Sequence, residues 1–351
     1  MANKNYHDEM DKKNILKLRE IVKTLPVFCK EYFNGINDSM STRTQLAYAY
    51  DLRVFFEFMH TTNQECMKKD ITEYSIEILD IIKRQDILEY MEYLSYYINP
   101  DTLEEIQNDE RGKSRKLSCL KSFYNYHFKN ELIETNPASL VSLPKLHQKE
   151  IVRLDPDEVA ILLDSVEMGS NLTEKQLAYH EKTKIRDLAL LTLLLGTGIR
   201  VSECVGLDMN DVDFNNLRIK VRRKGGYEDT VYFSREVESA LLKYMEERKR
   251  IIPYTGHENA LFLSIQNKRL QVRSVEKLVK KYASLVTTLK KITPHKLRST
   301  FGTNLYQETG DIYLVADVLG HSDVNTTKKH YAAMNEDNKR KAASAVKLRE
   351  P

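Results

Sequence analysis

The sequence predicts a mainly α-helical protein of two domains with one small β-hairpin. Glycine and proline are scarce, numbering 12 and 8 in 351 residues. Apolar residues recur at helical spacing through most of the chain, and the clearest alternation at period two is confined to residues 217–223. The length suits two domains of ordinary size, and an apolar content of 41% is enough for packed cores.

Residues 14–24 and 42–59 read as helices, the second with Leu46, Tyr50, Phe55 and Phe58 at near-helical spacing. Residues 86–97 form another, with Ile87, Tyr90, Met91 and Leu94 on one side. Residues 114–128 form a fourth, whose apolar face carries Leu117, Leu120, Phe123 and Tyr124, while Lys113, Arg115, Lys116 and Lys121 lie mostly off it. The N-terminal part therefore reads as a small helical bundle with one basic helix. Asn136-Pro137 ends it, and residues 143–152, polar and basic with little periodicity, read as a linker between domains at 1–142 and 153–351. A helix starts near Asp155, with Pro156 suited to a first turn and Val159, Leu162 and Leu163 following. Residues 169–182 are polar and read as an insertion. Residues 184–195 form a strongly apolar helix, broken by Gly196-Thr197-Gly198, and a short helix begins near Ser202. Leu217-Arg-Ile-Lys-Val-Arg-Arg223 alternates apolar and basic residues as a half-buried strand does. Lys224-Gly225-Gly226-Tyr227 is its turn and residues 230–233 the return, which puts Lys224 at a hairpin tip. Residues 274–289 form an amphipathic helix with Val275, Leu278, Val279, Tyr282, Leu285 and Val286 inside. Short helices follow from residue 295 to the C-terminus.

Charged residues make up 30% of the chain, and no apolar run approaches the roughly 20 residues a membrane helix needs. With a polar N-terminus lacking a signal core, a soluble cytoplasmic protein is the expectation. The four cysteines, Cys29, Cys66, Cys119 and Cys204, show no paired metal-ligand spacing and read as reduced thiols. Net charge is only +3, but its distribution is uneven. Residues 111–129 hold six Lys/Arg and residues 217–227 five, with no acid in either segment, whereas residues 65–110 are acidic. Local basic surfaces on a nearly neutral chain suit a polyanion held on one face.

Cutting DNA without metal or nucleotide requires a nucleophile, cations for the non-bridging phosphate oxygens and an acid for the leaving 5′ oxygen. A tyrosine nucleophile keeps the bond energy as a phosphotyrosine ester, so that a second end can be joined without ATP. The C-terminal half contains these residue types in an informative order. Arg200 follows a glycine turn in Gly196-Thr-Gly-Ile-Arg-Val-Ser-Glu203, and Lys224 sits at the hairpin tip. His295 and Arg298 lie three apart in Thr293-Pro-His-Lys-Leu-Arg298, facing the same way on a helix. His321 lies in Leu319-Gly-His-Ser322, and Tyr331 follows ten residues later.

This order, Arg, Lys, His-x-x-Arg, His, Tyr, resembles the tyrosine recombinase (phage integrase) family, and most closely its Xer-type single-recombinase subgroup. The resemblance spans residues 41–338: it includes Lys184-Ile-Arg-Asp-Leu-Ala-Leu, Arg223-Lys-Gly-Gly226, Ala260-Leu-Phe-Leu263 and Ser274-Val-Glu-Lys-Leu-Val279. The insertion at 169–182 is similar to one in that subgroup, and Ser41-Thr-Arg-Thr44 through Asp51-Leu52 and Asn136-Pro137-Ala138 resemble its helical, SAM-like core-binding domain. The resemblance implies a core-binding domain plus a tyrosine recombinase catalytic domain forming a C-shaped clamp on double-stranded DNA, without cofactor or metal. It implies that Arg200 and Arg298 clamp the scissile phosphate, His295 assists proton transfer, Lys224 protonates the leaving 5′ hydroxyl, His321 binds a non-bridging oxygen and Tyr331 attacks, with Glu203 orienting the Arg200 loop. Lys113, Arg115, Lys116 and Lys121 would meet DNA phosphates. The implied reaction runs through a Holliday junction in a homo-tetramer. It serves chromosome dimer resolution with a septal DNA translocase if the chain is Xer-like, or integration and excision of a mobile element. A C-terminal helix bearing Ala342, Ala345, Val346 and Leu348 would dock on a neighbouring subunit.

The sequence departs from the family pattern at Ser299, where many members carry a second His, and in the His321–Tyr331 spacing of ten, where many Xer proteins have nine and integrases of mobile elements also have ten. Rival readings are a type IB topoisomerase, marked by relaxation without defined sites, and an accessory DNA-binding factor, marked by tight binding without cleavage. The absence of a carboxylate cluster with ligand spacing disfavours a metal-dependent nuclease.

Overall fold

The computed structural model describes residues 6–99, 103–145, 147, 152–223, 225–321 and 323–331, and the chain divides into two units, Met1–Lys149 and Glu150–Pro351. Among the described residues, no helix is long and apolar enough to cross a membrane.

The first unit is helical. Helix α1 spans Tyr6–Val22 and α2 spans Val27–Gly35. Helix α3 spans Thr42–Thr62, α4 is the single turn Ile78–Ile81, α5 spans Arg84–Tyr93 and α6 spans Glu110–Lys129. A two-stranded antiparallel ribbon, β1 (Tyr97–Ile98) with β2 (Glu105–Ile106), lies between α5 and α6. Helix α1 begins well before the expected residue 14, because Asp8 and Glu9 favour a helix N-terminus without adding an apolar repeat. Helix α2 was not evident from periodicity: it is short, follows Pro26, and is recognisable mainly by its buried face of Phe28, Cys29, Tyr32 and Phe33. Side chains cap the two long helices: Ser41 Oγ accepts the Thr44 N–H at 3.2 Å and Asp109 Oδ1 accepts the Gly112 N–H at 2.9 Å.

The core of this unit is aromatic. Phe28, Tyr32, Phe55, Phe56, Tyr90, Phe123 and Tyr124 are all buried in it. At its edge His127 is fully buried against Phe28, Tyr32, Phe123 and Tyr126, and neither ring nitrogen has a hydrogen-bond partner among the described residues. Burial without a partner disfavours the charged ring and pushes its pKa down to about 4.

The second unit is a helical body with one small sheet. Helix α7 (Pro156–Met168) ends at Gly169 in the left-handed region, φ 72°. The polar insertion contains a helix, α8 (Glu174–His180), whose His180 is buried with Nδ1 3.0 Å from the Tyr282 hydroxyl. Helix α9 (Lys184–Thr197) is buried nearly all round and packs on α7, on α11 (Arg235–Arg248) and on α13 (Pro294–Thr309). Helix α10 covers Val201–Gly206. Helix α11 escaped the periodicity reading because its charged residues outnumber its buried ones, Val237, Leu241, Tyr244 and Arg248. The sheet has three strands in the order β3 (Val212–Asp213), β4 (Arg218–Arg222), β5 (Glu228–Tyr232), all antiparallel. Strand β4 alternates as expected, with Ile219 and Val221 buried, and Arg222 pairs with Glu228 at the hairpin end. Helix α12 (Val272–Val286) buries Val275, Leu278, Val279, Tyr282 and Ala283. Helices α14 (Ile312–Leu319) and α15 (Val324–Tyr331) follow α13, which is longer than the short helix expected there.

His127 yields a stability prediction. The unfolded ring takes up a proton near its ordinary 6.5 and the buried ring only near about 4, so acidification favours unfolding across that window. The urea midpoint of the first-unit transition should fall between pH 6.5 and about 4. His127→Phe, which keeps the ring and removes the titration, should flatten that dependence; an unchanged slope would show that another group controls it.

Candidate active site

Two glycines in the left-handed region shape the site. Gly198, φ 64°, ends α9 and turns the chain so that Arg200 becomes the N-cap residue of α10. A Cβ on Gly198 would lie 2.4 Å from Phe301 Cδ1, so the loop approaches α13 too closely for any other residue. Gly320, φ 61°, ends α14 and presents His321 immediately after it.

Three arginines meet the carbonyls at that end of α14. Arg298, from the second turn of α13, is buried; its Nη1 donates to Gly198 O at 2.7 Å and its Nη2 to Leu319 O. Arg200 donates through Nη2 to Gly320 O at 3.2 Å and through Nη1 to Glu203 Oε1 at 2.8 Å. Arg223, which the sequence reading did not single out, donates through Nη2 to Val318 O at 3.0 Å and through Nη1 to Glu203 Oε2 at 3.1 Å. A helix C-terminus leaves carbonyls unsatisfied and carries a partial negative charge, so it is a natural seat for guanidinium groups.

Glu203 is the shared anion. Its side chain is only 2% exposed, and besides the two guanidiniums it accepts the Arg200 backbone N–H at 2.8 Å. Beside it, burial and the Glu203 carboxylate push the Cys204 thiol up, which keeps it protonated. All four cysteines are free and buried.

His321 is fixed from both sides. Its backbone N–H donates to Ala316 O at 2.9 Å, and its ring Nδ1 lies 2.7 Å from Thr327 Oγ1 on α15. Helix α15 packs on α14, and Tyr331 is its last residue, one turn beyond Thr327. The Tyr331 side chain and Lys224 lie outside the described residues. Hydrogen bonds among described residues close the β4–β5 turn: Arg223 N–H to Tyr227 O at 2.9 Å and Gly226 N–H to Arg223 O at 3.0 Å. His295 sits in the first turn of α13 and is exposed, whereas Pro294 beside it and Arg298 one turn on are buried. The structure thus brings Arg200, Arg298 and His321 to one helix end, with His295 and Tyr331 on elements attached to it. The apolar tail positions Ala342, Ala345, Val346 and Leu348 lie outside the described residues.

In the first unit, the basic helix does not present all four cations outward. Lys116, expected off the apolar face, is buried with Nζ 2.8 Å from Asp51 Oδ1, because the 2% exposed Asp51 carboxylate of α3 requires a counter-charge. Arg115 pairs with the other oxygen of Asp51 while staying half exposed. Lys113 donates to Ser95 Oγ at 2.5 Å, and Lys121 is half-buried.

Glu203→Gln would strand two guanidiniums beside a neutral amide. It should lower unfolding stability by about 3–5 kcal/mol, measured by denaturant titration. A variant as stable as the parent would mean that the α14 carbonyls alone suffice.

The model for the phage integrase family matches residues 153–338. A tyrosine recombinase XerC of Leptospira interrogans is 32% identical over 312 residues, covering 88% of this chain and 89% of the relative. A tyrosine recombinase XerS of Lactococcus lactis subsp. cremoris is 29% identical, covering 93% and 96%. Among solved structures, the XerH site-specific recombinase bound to its difH substrate aligns with a TM-score of 0.60 at 21% identity, covering 90% of this chain and 82% of that one. The Tn1549 transposon integrase in complex with circular intermediate DNA aligns at 0.61 and 23%, covering 86% and 94%. With its arginines and histidine gathered in the matched region and a relative this similar over most of its length, the chain belongs to the phage integrase family: it is a tyrosine recombinase, an enzyme of site-specific DNA recombination.

Proposed function

We propose that this recombinase cleaves and rejoins duplex DNA through a 3′ phosphotyrosine formed by Tyr331, and that it resolves chromosome dimers in the manner of Xer proteins. The observation that carries the chemistry is the convergence of Arg200, Arg298 and His321 on the end of α14, to which the helix of Tyr331 is tied by the His321–Thr327 hydrogen bond. In this reading the two guanidiniums and the His321 ring take the non-bridging oxygens of the scissile phosphate and stabilise the charge that grows on them in the transition state. Tyr331 Oη attacks phosphorus as the bond to the 5′ oxygen breaks; His295 assists transfer of the tyrosine proton, and Lys224 gives a proton to the leaving oxygen. A 5′ hydroxyl from the partner duplex then attacks the phosphotyrosine, restoring a phosphodiester and the free tyrosine. Bond count is conserved at each step, which is why no ATP is needed.

The XerC and XerS relatives, matched over most of their own lengths, support the chromosomal role. The ten-residue His321–Tyr331 spacing favours the second reading, integration and excision of a mobile element. In either role the enzyme acts in the cytoplasm as a homo-tetramer on two synapsed sites, through a Holliday junction. A septal DNA translocase is the partner in the chromosomal role alone.

In the first unit, a core-binding domain at 1–142, the solvent-accessible cations of α6 contact phosphates and set register without reading bases. Lys113, Arg115 and Lys121 are assigned that role, while Lys116 holds Asp51. Residues 143–152 are the linker and 153–351 the catalytic domain. The exposed edge of α12, with Arg273, Lys277 and Lys280, faces the major groove.

Tyr331→Phe should bind a cognate duplex normally but form no covalent adduct with a nicked suicide substrate, read on a denaturing gel; a persisting adduct would assign the nucleophile elsewhere. Sequencing the DNA trapped by the wild-type protein in cells should return one chromosomal site. Recovery of the ends of a mobile element would select the second reading. Lys121→Ala should weaken specific and non-specific binding alike and reduce the slope of log affinity against log salt by about one. An unchanged slope would remove Lys121 from the phosphate contacts.

A further inference from the structure

The basic run on β4 reads at first as a row of DNA-facing cations, but the structure separates its members. Arg218 pairs with Asp213 and Lys220 with Glu228, both at the surface. Arg223 differs from both: its side chain is 2% exposed, and its Nε, Nη1 and Nη2 all donate to groups inside the protein. It occupies a place built around it. Nε donates to Asp229 Oδ2 on the opposite strand at 2.8 Å, Nη1 to Glu203 Oε2 at 3.1 Å and to Leu319 O at 3.5 Å, and Nη2 to Val318 O at 3.0 Å. Gly320 leaves the space in which the guanidinium lies; a Cβ there would stand 2.8 Å from Nε and 2.9 Å from Cζ. Only the planar fork of arginine can serve two carboxylates and two carbonyls at once; a lysine ammonium, a single point on a flexible stem, cannot.

We infer that Arg223 is a positioning residue that holds the end of the β4–β5 hairpin against the C-terminus of α14, and so sets where the next residue, Lys224, delivers its proton. The inference rests on the proposed role of Lys224 as the acid for the leaving oxygen. The hairpin turn contains Gly225 and Gly226, both in the left-handed region, and glycine adds conformational freedom. Such a turn constrains the residues beside it only where the adjoining backbone is tethered. Arg223 tethers it to the helix end that also receives Arg200 and Arg298, sharing Glu203 with Arg200 and Leu319 O with Arg298. The proton donor and the phosphate clamp thereby share one frame.

Two variants and two substrates test this. Arg223→Lys keeps the charge and loses the fork; Asp229→Asn, at a side chain 36% exposed, weakens the tether with less risk to the fold. Single-turnover cleavage is measured on a suicide duplex with the natural 5′ oxygen at the scissile bond and on one with sulfur in that bridging position. A thiolate leaves without protonation, so a defect confined to the acid disappears on the sulfur substrate. Arg223→Lys should cleave the oxygen substrate about a hundredfold more slowly, the scale of a misplaced reacting group, and Asp229→Asn should be slowed less. Both should cleave the sulfur substrate within about twofold of the parent, with unchanged DNA affinity. Lys224→Ala should show the same rescue. If Lys224→Ala is rescued and Arg223→Lys is not, Arg223 acts through the Arg200 clamp or the fold and the inference is overturned while the role of Lys224 stands. If Lys224→Ala is not rescued, the acid role falls and takes the inference with it. Parental rates for Arg223→Lys on the oxygen substrate would also overturn it.

Discussion

The C-terminal end of α14 is the constraint on which the catalytic unit depends. An α-helix must leave its last carbonyls without intrahelical partners, and here Val318, Leu319 and Gly320 give theirs to Arg223, Arg298 and Arg200. The three arginines come from the β4–β5 hairpin, from α13 and from the loop after α9, segments far apart in the chain. One helix end thus satisfies its own hydrogen-bonding requirement and gathers three guanidinium groups in one place. The partial negative charge there also offsets part of the cost of placing guanidiniums side by side before any DNA arrives.

Both units use a second device, a buried carboxylate shared by two cations. Glu203 joins Arg200 to Arg223, and Asp51 joins Arg115 to Lys116. A buried ion pair adds little net stability because desolvation offsets most of the attraction, but removing one partner leaves a charge that the interior cannot solvate. Such a group therefore acts as a constraint on geometry more than as a source of stability. In the catalytic unit it determines the register of a loop against a hairpin; in the first unit it orients two cations of the basic helix differently, one inward and one toward solvent.

The insertion after α7 follows the same logic at a smaller scale. Its composition is polar, yet His180 is buried on the Tyr282 hydroxyl, which in turn donates to Asp187 Oδ2 at 3.3 Å, and a Cβ on Gly169 would lie 2.7 Å from the His180 ring. A segment that reads as a surface addition is thereby pinned to α9 and α12 through one histidine.

Local pattern made much of the fold legible. Apolar spacing located α3, α6, α9 and α12, alternation located β4, and glycine positions located the turn before Arg200, because each of these signals depends on neighbours within four residues along the chain. The helices α2, α8 and α11 and the strand β3 were not legible, being short or dominated by charge. The order of Arg200, Lys224, His295, Arg298, His321 and Tyr331 was a property of the sequence by itself, and so was the family it pointed to. What only the tertiary structure decided was which cations stay at the surface and which are spent inside the protein. Arg223 and Lys116 look like their neighbours in the chain. They are buried because a carboxylate or a helix end from a distant segment arrives beside them, and such pairings exist only after the chain has folded.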